Sequence, residues 1–208
     1  MDRVDLKRRA KGMIVPNLGR FWKAAFLVMV IMAALGGILG LLFRTDVDFS
    51  FGEGLSSGAS NILLAPLMIG LQAYILKITR GKKEDMSELW KYFSKYWVII
   101  AITLVVNALI FIGLVFLIIP GIIIGLGFTF VNHLIADNPE MGIQEALKKA
   151  WDLANGYKAD IFILGLSFFG WMLLIPVTLG IAAIWIVPYM SYTFALYYDE
   201  LKKVKKFK

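Results

Sequence analysis

His133 is the single histidine in a chain of 208 residues that has no cysteine. Asn132 precedes it and Asp137 follows one helical turn later, so Asn132, His133 and Asp137 could form a polar site or a proton-sensitive switch. An interfacial histidine hydrogen-bonded to a neighbour explains the same residues, and one histidine without co-ligands falls short of a metal shell. The absence of cysteine removes disulfides, thiolate nucleophiles and Cys-based metal centres. The serines show no pairing with His133 that would suggest a hydrolase. Gly52-Glu53-Gly54 and Gly156-Tyr157-Lys158 lack the glycine spacing, lysine and hydroxyl residue of a phosphate loop. We therefore expect no catalytic, cofactor-binding or metal-ligating residues, no cofactor, and no enzymatic activity.

The elements that would position any such group are membrane spans. Hydrophobic residues make up 59% of the chain and charged ones only 18%, and the mean hydropathy is +0.73. Soluble domains hold roughly 45–50% apolar and about 25% charged residues, so a soluble globule is excluded. The 22 Lys and Arg residues outnumber the 15 Asp and Glu, a basic excess that in so apolar a chain belongs to membrane-flanking loops rather than to nucleic-acid binding.

Six spans are expected, at approximately 24–43, 58–78, 97–117, 121–136, 161–176 and 181–198. The first follows a basic amphipathic segment, approximately 3–15, that ends at Pro16-Asn17. A polar, glycine-rich loop from Arg44 to about Ser57 leads to the second span. Residues 84–96 carry Met86, Leu89, Trp90 and Phe93 at helical spacing and read as an interfacial helix. The 40 residues from Trp97 to Ala136 contain no Asp, Glu, Lys or Arg, and as one helix they would run about 60 Å, twice the roughly 30 Å of hydrocarbon. They must fold back, with Pro120-Gly121 as the turn. The 38 uncharged residues from 161 to 198 do the same around Pro176 and Gly180.

Between these hairpins, Asp137-Asn138-Pro139 reads as a helix start. The helix it opens, approximately 139–155, has an apolar face built largely from Ile143, Leu147 and Trp151, expected to dock at the inner interface or on the bundle. Asn61, Gln72 and Asn107 are further polar groups within spans, explained by interhelical hydrogen bonds as well as by substrate contacts. With the amino terminus inside, Arg44 is the only one of the 22 basic residues left outside. Both termini are therefore expected in the cytoplasm. The fold class is an all-α, polytopic membrane helical bundle of three hairpins with cytoplasmic amphipathic helices.

Leu6-Lys7-Arg8-Arg9-Ala10-Lys11, Ile118-Ile119-Pro120-Gly121-Ile122, Ala136-Asp137-Asn138-Pro139, Gly156-Tyr157-Lys158, Leu166-Ser167-Phe168 with Trp171, Thr178-Leu179-Gly180 and Pro188-Tyr189 form a specific combination. Through it the chain resembles DUF975, a family of uncharacterised bacterial integral membrane proteins. The resemblance implies a multi-pass protein of the bacterial cytoplasmic membrane and contributes no catalytic or ligand-binding residues. The expected role is a membrane scaffold or accessory component engaging membrane lipids, a protein partner or a second copy at its cytoplasmic face. The alternative is a transporter or lipid-handling permease with an apolar cavity between hairpins.

Overall fold

The structure is a computed structural model that describes residues 2–42 and 58–206. The expected loop from Arg44 to Ser57, the Gly52-Glu53-Gly54 segment and the end of the first span at Phe43 lie outside the described residues. Among the described residues there is no strand. The helices are α1 (Arg3–Leu42), α2 (Ala65–Thr79), α3 (Glu88–Lys91), α4 (Tyr96–Phe116), α5 (Ile118–Phe128), α6 (Val131–Asp137), α7 (Ile143–Ala154), α8 (Lys158–Val177) and α9 (Ala183–Val204). Four helical stretches among them are long and apolar enough to cross a membrane: Arg3–Leu42, Glu88–Phe116, Ile118–Asp137 and Lys158–Val177.

The basic segment 3–15 and the first span are one helix. α1 runs for 40 residues straight through Pro16, about 60 Å at 1.5 Å per residue. Proline removes one backbone donor there, and the helix is held from outside. The Tyr192 hydroxyl donates to the Asn17 carbonyl at 3.4 Å and the Tyr74 hydroxyl to the Arg20 carbonyl at 3.2 Å. The buried residues of α1 lie between Leu6 and Val28. Its first half lies antiparallel to α9, from Arg9 against Glu200 at 3.2 Å to the Trp22 indole donating to the Ile184 carbonyl at 3.1 Å. Its second half meets residues 58–63, with Gly36 beside Ser60.

The second expected span is broken. Residues 58–63 are helical, Leu64 is a turn, and α2 restarts with Pro66 in its first turn. The expected interfacial helix 84–96 is instead the short α3, a 3-10 turn at Tyr92–Lys95, and the entry to α4. It crosses α2 at Gly70, where an added Cβ would stand 2.6 Å from the Leu89 backbone. That proximity buries Leu89 and leaves Trp90 half exposed.

The hairpin break falls at Leu117, not at Pro120-Gly121. Leu117 is extended, at φ −161° and ψ 136°, and Pro120 occupies the first turn of α5, where its missing donor is not needed. Gly121 instead lets α5 close on α4 beside Gly113 and Leu114. The other turn does fall after Pro176, with Leu179 and Gly180 at φ 50° and 90°. Asn138-Pro139 ends α6 rather than opening a helix. The residue before a proline is pushed out of the helical region, and Asn138 sits at φ −138°, ψ 88°. The next helix therefore starts at Ile143, capped by Gly142, rather than at 139.

Candidate functional site

The ends of α2, α6 and α9 meet at one end of the bundle. α2 stops at Arg80 because Gly81, at φ 63°, takes the left-handed position of a Schellman cap. Lys82 N–H reaches the Lys77 carbonyl at 2.9 Å and Gly81 N–H the Ile78 carbonyl at 3.0 Å. That termination points Arg80 at the last residue of α6 and at the charged end of α9. Its guanidinium grips Asp137 with two bonds, of 2.7 and 3.1 Å, and donates through Nε to Asp199 at 3.1 Å. Asp137 also accepts from Lys202 at 2.7 Å and from the Tyr198 hydroxyl at 2.9 Å. Burial lowers the pKa of Arg80, but hydrogen bonds and charge from Asp199 and Asp137 outweigh it and hold the group above its ordinary value. The planar fork holds Asp137 with two bonds while also bonding Asp199, a bidentate geometry that an ammonium does not offer.

Beside this network lies an open cleft of about 890 Å³, bordered by α1, the end of α2, the end of α6 and the last turns of α9. Arg9, Arg80, Lys202, Lys203 and Lys206 face Asp137, Asp199 and Glu200, over an apolar floor of Met13 and Leu196. The carboxylates are engaged: Glu200 by Arg9 at 3.2 Å, and the two aspartates as above. The surplus of positive charge falls at the mouth. Lys203 lies 3.7 Å from Glu200 with its side chain 73% exposed, and Lys206 is exposed and has no carboxylate partner among the described residues. A concave site with an apolar floor and a cationic rim suits an anionic headgroup.

The structure does not bring Asn132, His133 and Asp137 together as a site. Asp137 belongs to the charged network. His133 is buried between the rings of Phe130 and Tyr198, at 5.5 and 5.2 Å, and neither ring nitrogen has a hydrogen-bond partner among the described residues. Asn132 lines a different cavity. No group of three or more potential metal ligands occurs among the described residues. Ile143, Leu147 and Trp151 are half-buried, and the fully buried side of α7 is Ala146, Ala150, Leu153 and Ala154. Trp151 lies over Gly127, where an added Cβ would come 2.5 Å from the indole, and beside Phe128 at 5.7 Å. The Lys158 ammonium lies over the Trp151 ring, 3.2 Å from its centroid. α7 thus docks on α5.

Sequence reasoning missed Arg80 and Asp199. The signals were present, a basic residue one step before a glycine at a span end and an acid opening a charged tail, but nothing local shows that they meet.

The family model described as a protein of unknown function (DUF975) matches residues 95–205, more than half the chain. The chain belongs to this family. No curated protein and no solved structure matches it. The DUF975 stretch runs from the 3-10 turn to the end of α9 and contains Asp137, Asp199, Glu200, Lys202 and Lys203. Arg9 and Arg80 are supplied by the preceding helices.

Proposed function

We propose that this DUF975 protein is a non-enzymatic component of the bacterial cytoplasmic membrane, a scaffold or accessory protein whose cytoplasmic face engages anionic lipid. The observation that carries this reading is the cleft, in which five cations border three already engaged carboxylates. Each free basic group near an anionic surface contributes about 1 kcal/mol. Lys203 and Lys206 are placed to do so, whereas Arg80 and Lys202 are held by carboxylates.

The test is thermal unfolding of the purified protein in nanodiscs of phosphatidylglycerol against phosphatidylcholine. Phosphatidylglycerol is expected to raise the unfolding temperature, and about 0.5 M salt to remove most of the gain by screening. Lys203→Ala with Lys206→Ala should lose most of it as well, while Lys148→Ala on the exposed side of α7 should keep it. Equal unfolding in the two lipids would sink the proposal.

The topology that goes with it is six crossings in three hairpins, with both termini cytoplasmic. The turn between α8 and α9 lies close to the Trp22 end of α1's apolar run, through the contact with Ile184. The chain has no native cysteine, so single cysteines can be labelled with an impermeant reagent. Position 52 should react from outside, and positions 85 and 148 only after the membrane is opened. Outside labelling at 85 or 148 would overturn the orientation.

A second reading, a lipid-handling permease, is favoured by a separate cavity between the helices.

A further inference from the structure

That cavity, of about 700 Å³, lies between residues 58–68, the middle of α4, and the α5–α6 junction. None of its lining residues is ionisable. Its polar groups are Asn61, Thr103, Asn107, Thr129 and Asn132, and the rest of its wall is aliphatic, glycine and Phe128. Asn107 stands 11 residues into α4, about 17 Å along the helix and so deep within a hydrocarbon layer of roughly 30 Å. It is also exposed. An amide facing acyl chains with open hydrogen-bonding positions is costly.

The hydrogen bonds of Thr103, Asn107 and Thr129 stay within their own helices. Asn107 Nδ2 donates to the Thr103 carbonyl of its own helix at 2.9 Å. Thr103 and Thr129 donate their hydroxyl protons to the Ile99 and Gly125 carbonyls, at 2.9 and 3.1 Å. Both hydroxyls therefore face the cavity as acceptors, and Asn107 keeps its carbonyl oxygen for the same use. A cavity of this size falls in the range of ligand pockets. Acceptors and an amide with no charged neighbour of either sign call for an uncharged ligand that can donate hydrogen bonds. Aliphatic walls within the membrane call for an alkyl body.

We infer that this cavity is a binding site for an uncharged, hydroxyl-bearing amphiphile, held by Thr103, Asn107, Thr129 and Asn132. The site is independent of the charged cleft. Native mass spectrometry of the detergent-purified full chain tests it, with monoolein as the probe and methyl oleate as the chain-matched lipid lacking a donor. Monoolein is expected to give one retained adduct and methyl oleate none. Asn107→Leu with Asn132→Leu should lower monoolein occupancy by about tenfold, the scale of one or two lost hydrogen bonds. Thr129→Val, nearly isosteric, should weaken it in the same direction without disturbing the fold. Lys203→Ala with Lys206→Ala should leave monoolein binding unchanged, so failure here is separable from failure of the anionic-lipid reading. Equal retention of methyl oleate, or unchanged monoolein binding in the Asn107/Asn132 and Thr129 variants, would overturn the inference.

Discussion

Replacing Arg80 with alanine is expected to destabilise the protein more than any other single surface-polar change. The substitution leaves Asp199 without its guanidinium and Asp137 with only Lys202 and Tyr198. Breaking one side of a buried ion pair costs about 3–5 kcal/mol. The side chains here are 28%, 15% and 19% exposed for Arg80, Asp137 and Asp199, so water offsets part of that and about 2–4 kcal/mol is the expected loss. Arg80→Lys should recover only part, because an ammonium cannot keep both the two-bond grip on Asp137 and the bond to Asp199. Adding Asp199→Asn to Arg80→Ala should be milder than Arg80→Ala alone, since it removes one stranded charge. Unfolding of the purified variants in one detergent measures all three. A loss below about 0.5 kcal/mol for Arg80→Ala would mean that the network contributes no more than an exposed ion pair.

That network shows where sequence reading stops. Arg80 and Asp137 are 57 positions apart, and Arg80 and Asp199 are 119 apart. Each residue by itself reads as an ordinary charge at a span boundary. What was legible was the length of the uncharged stretches, each of which is broken into two or more helices. What was misread was local. Pro16 is a helix breaker in isolation, yet α1 continues through it, packed in the following turn against Tyr74 and Tyr192 from two other helices. Pro120 marks the neighbourhood of a turn but sits just after it, since the first turn of a helix is where proline costs least. Asn138-Pro139 carries a start signal and a stop signal at once, and the backbone restriction on Asn138 decided for the stop. The polar trio around His133 is divided among different surroundings. Spacing put its members on one helix end, but tertiary packing sent Asp137 to the charged end, His133 into an aromatic stack and Asn132 to the amide-lined cavity.

The docking of α7 supplies the second large expected effect. The fully buried side of α7 is three alanines and Leu153, and Trp151 is the large side chain that α7 seats on α5, over Gly127 and beside Phe128. Full truncation of a buried aromatic costs about 3–5 kcal/mol. Trp151 is half-buried, so Trp151→Ala is expected to cost about 2 kcal/mol, including the cation–π contact from Lys158. Lys148→Ala, at an exposed position, should change stability by less than about 0.5 kcal/mol. Gly127→Ala approaches the same contact from the other side. Its new methyl would stand 2.5 Å from the indole, closer than carbon atoms can pack, so the ring must leave its seat. It should therefore destabilise by about 1–3 kcal/mol. In the Trp151→Ala background the same methyl has space, and Gly127→Ala should then cost far less, giving a coupling of the same order between the two sites. Additive losses from Gly127→Ala and Trp151→Ala would show that the indole does not lie over Gly127. A larger effect from Lys148→Ala than from Trp151→Ala would replace apolar docking of α7 with electrostatic attachment.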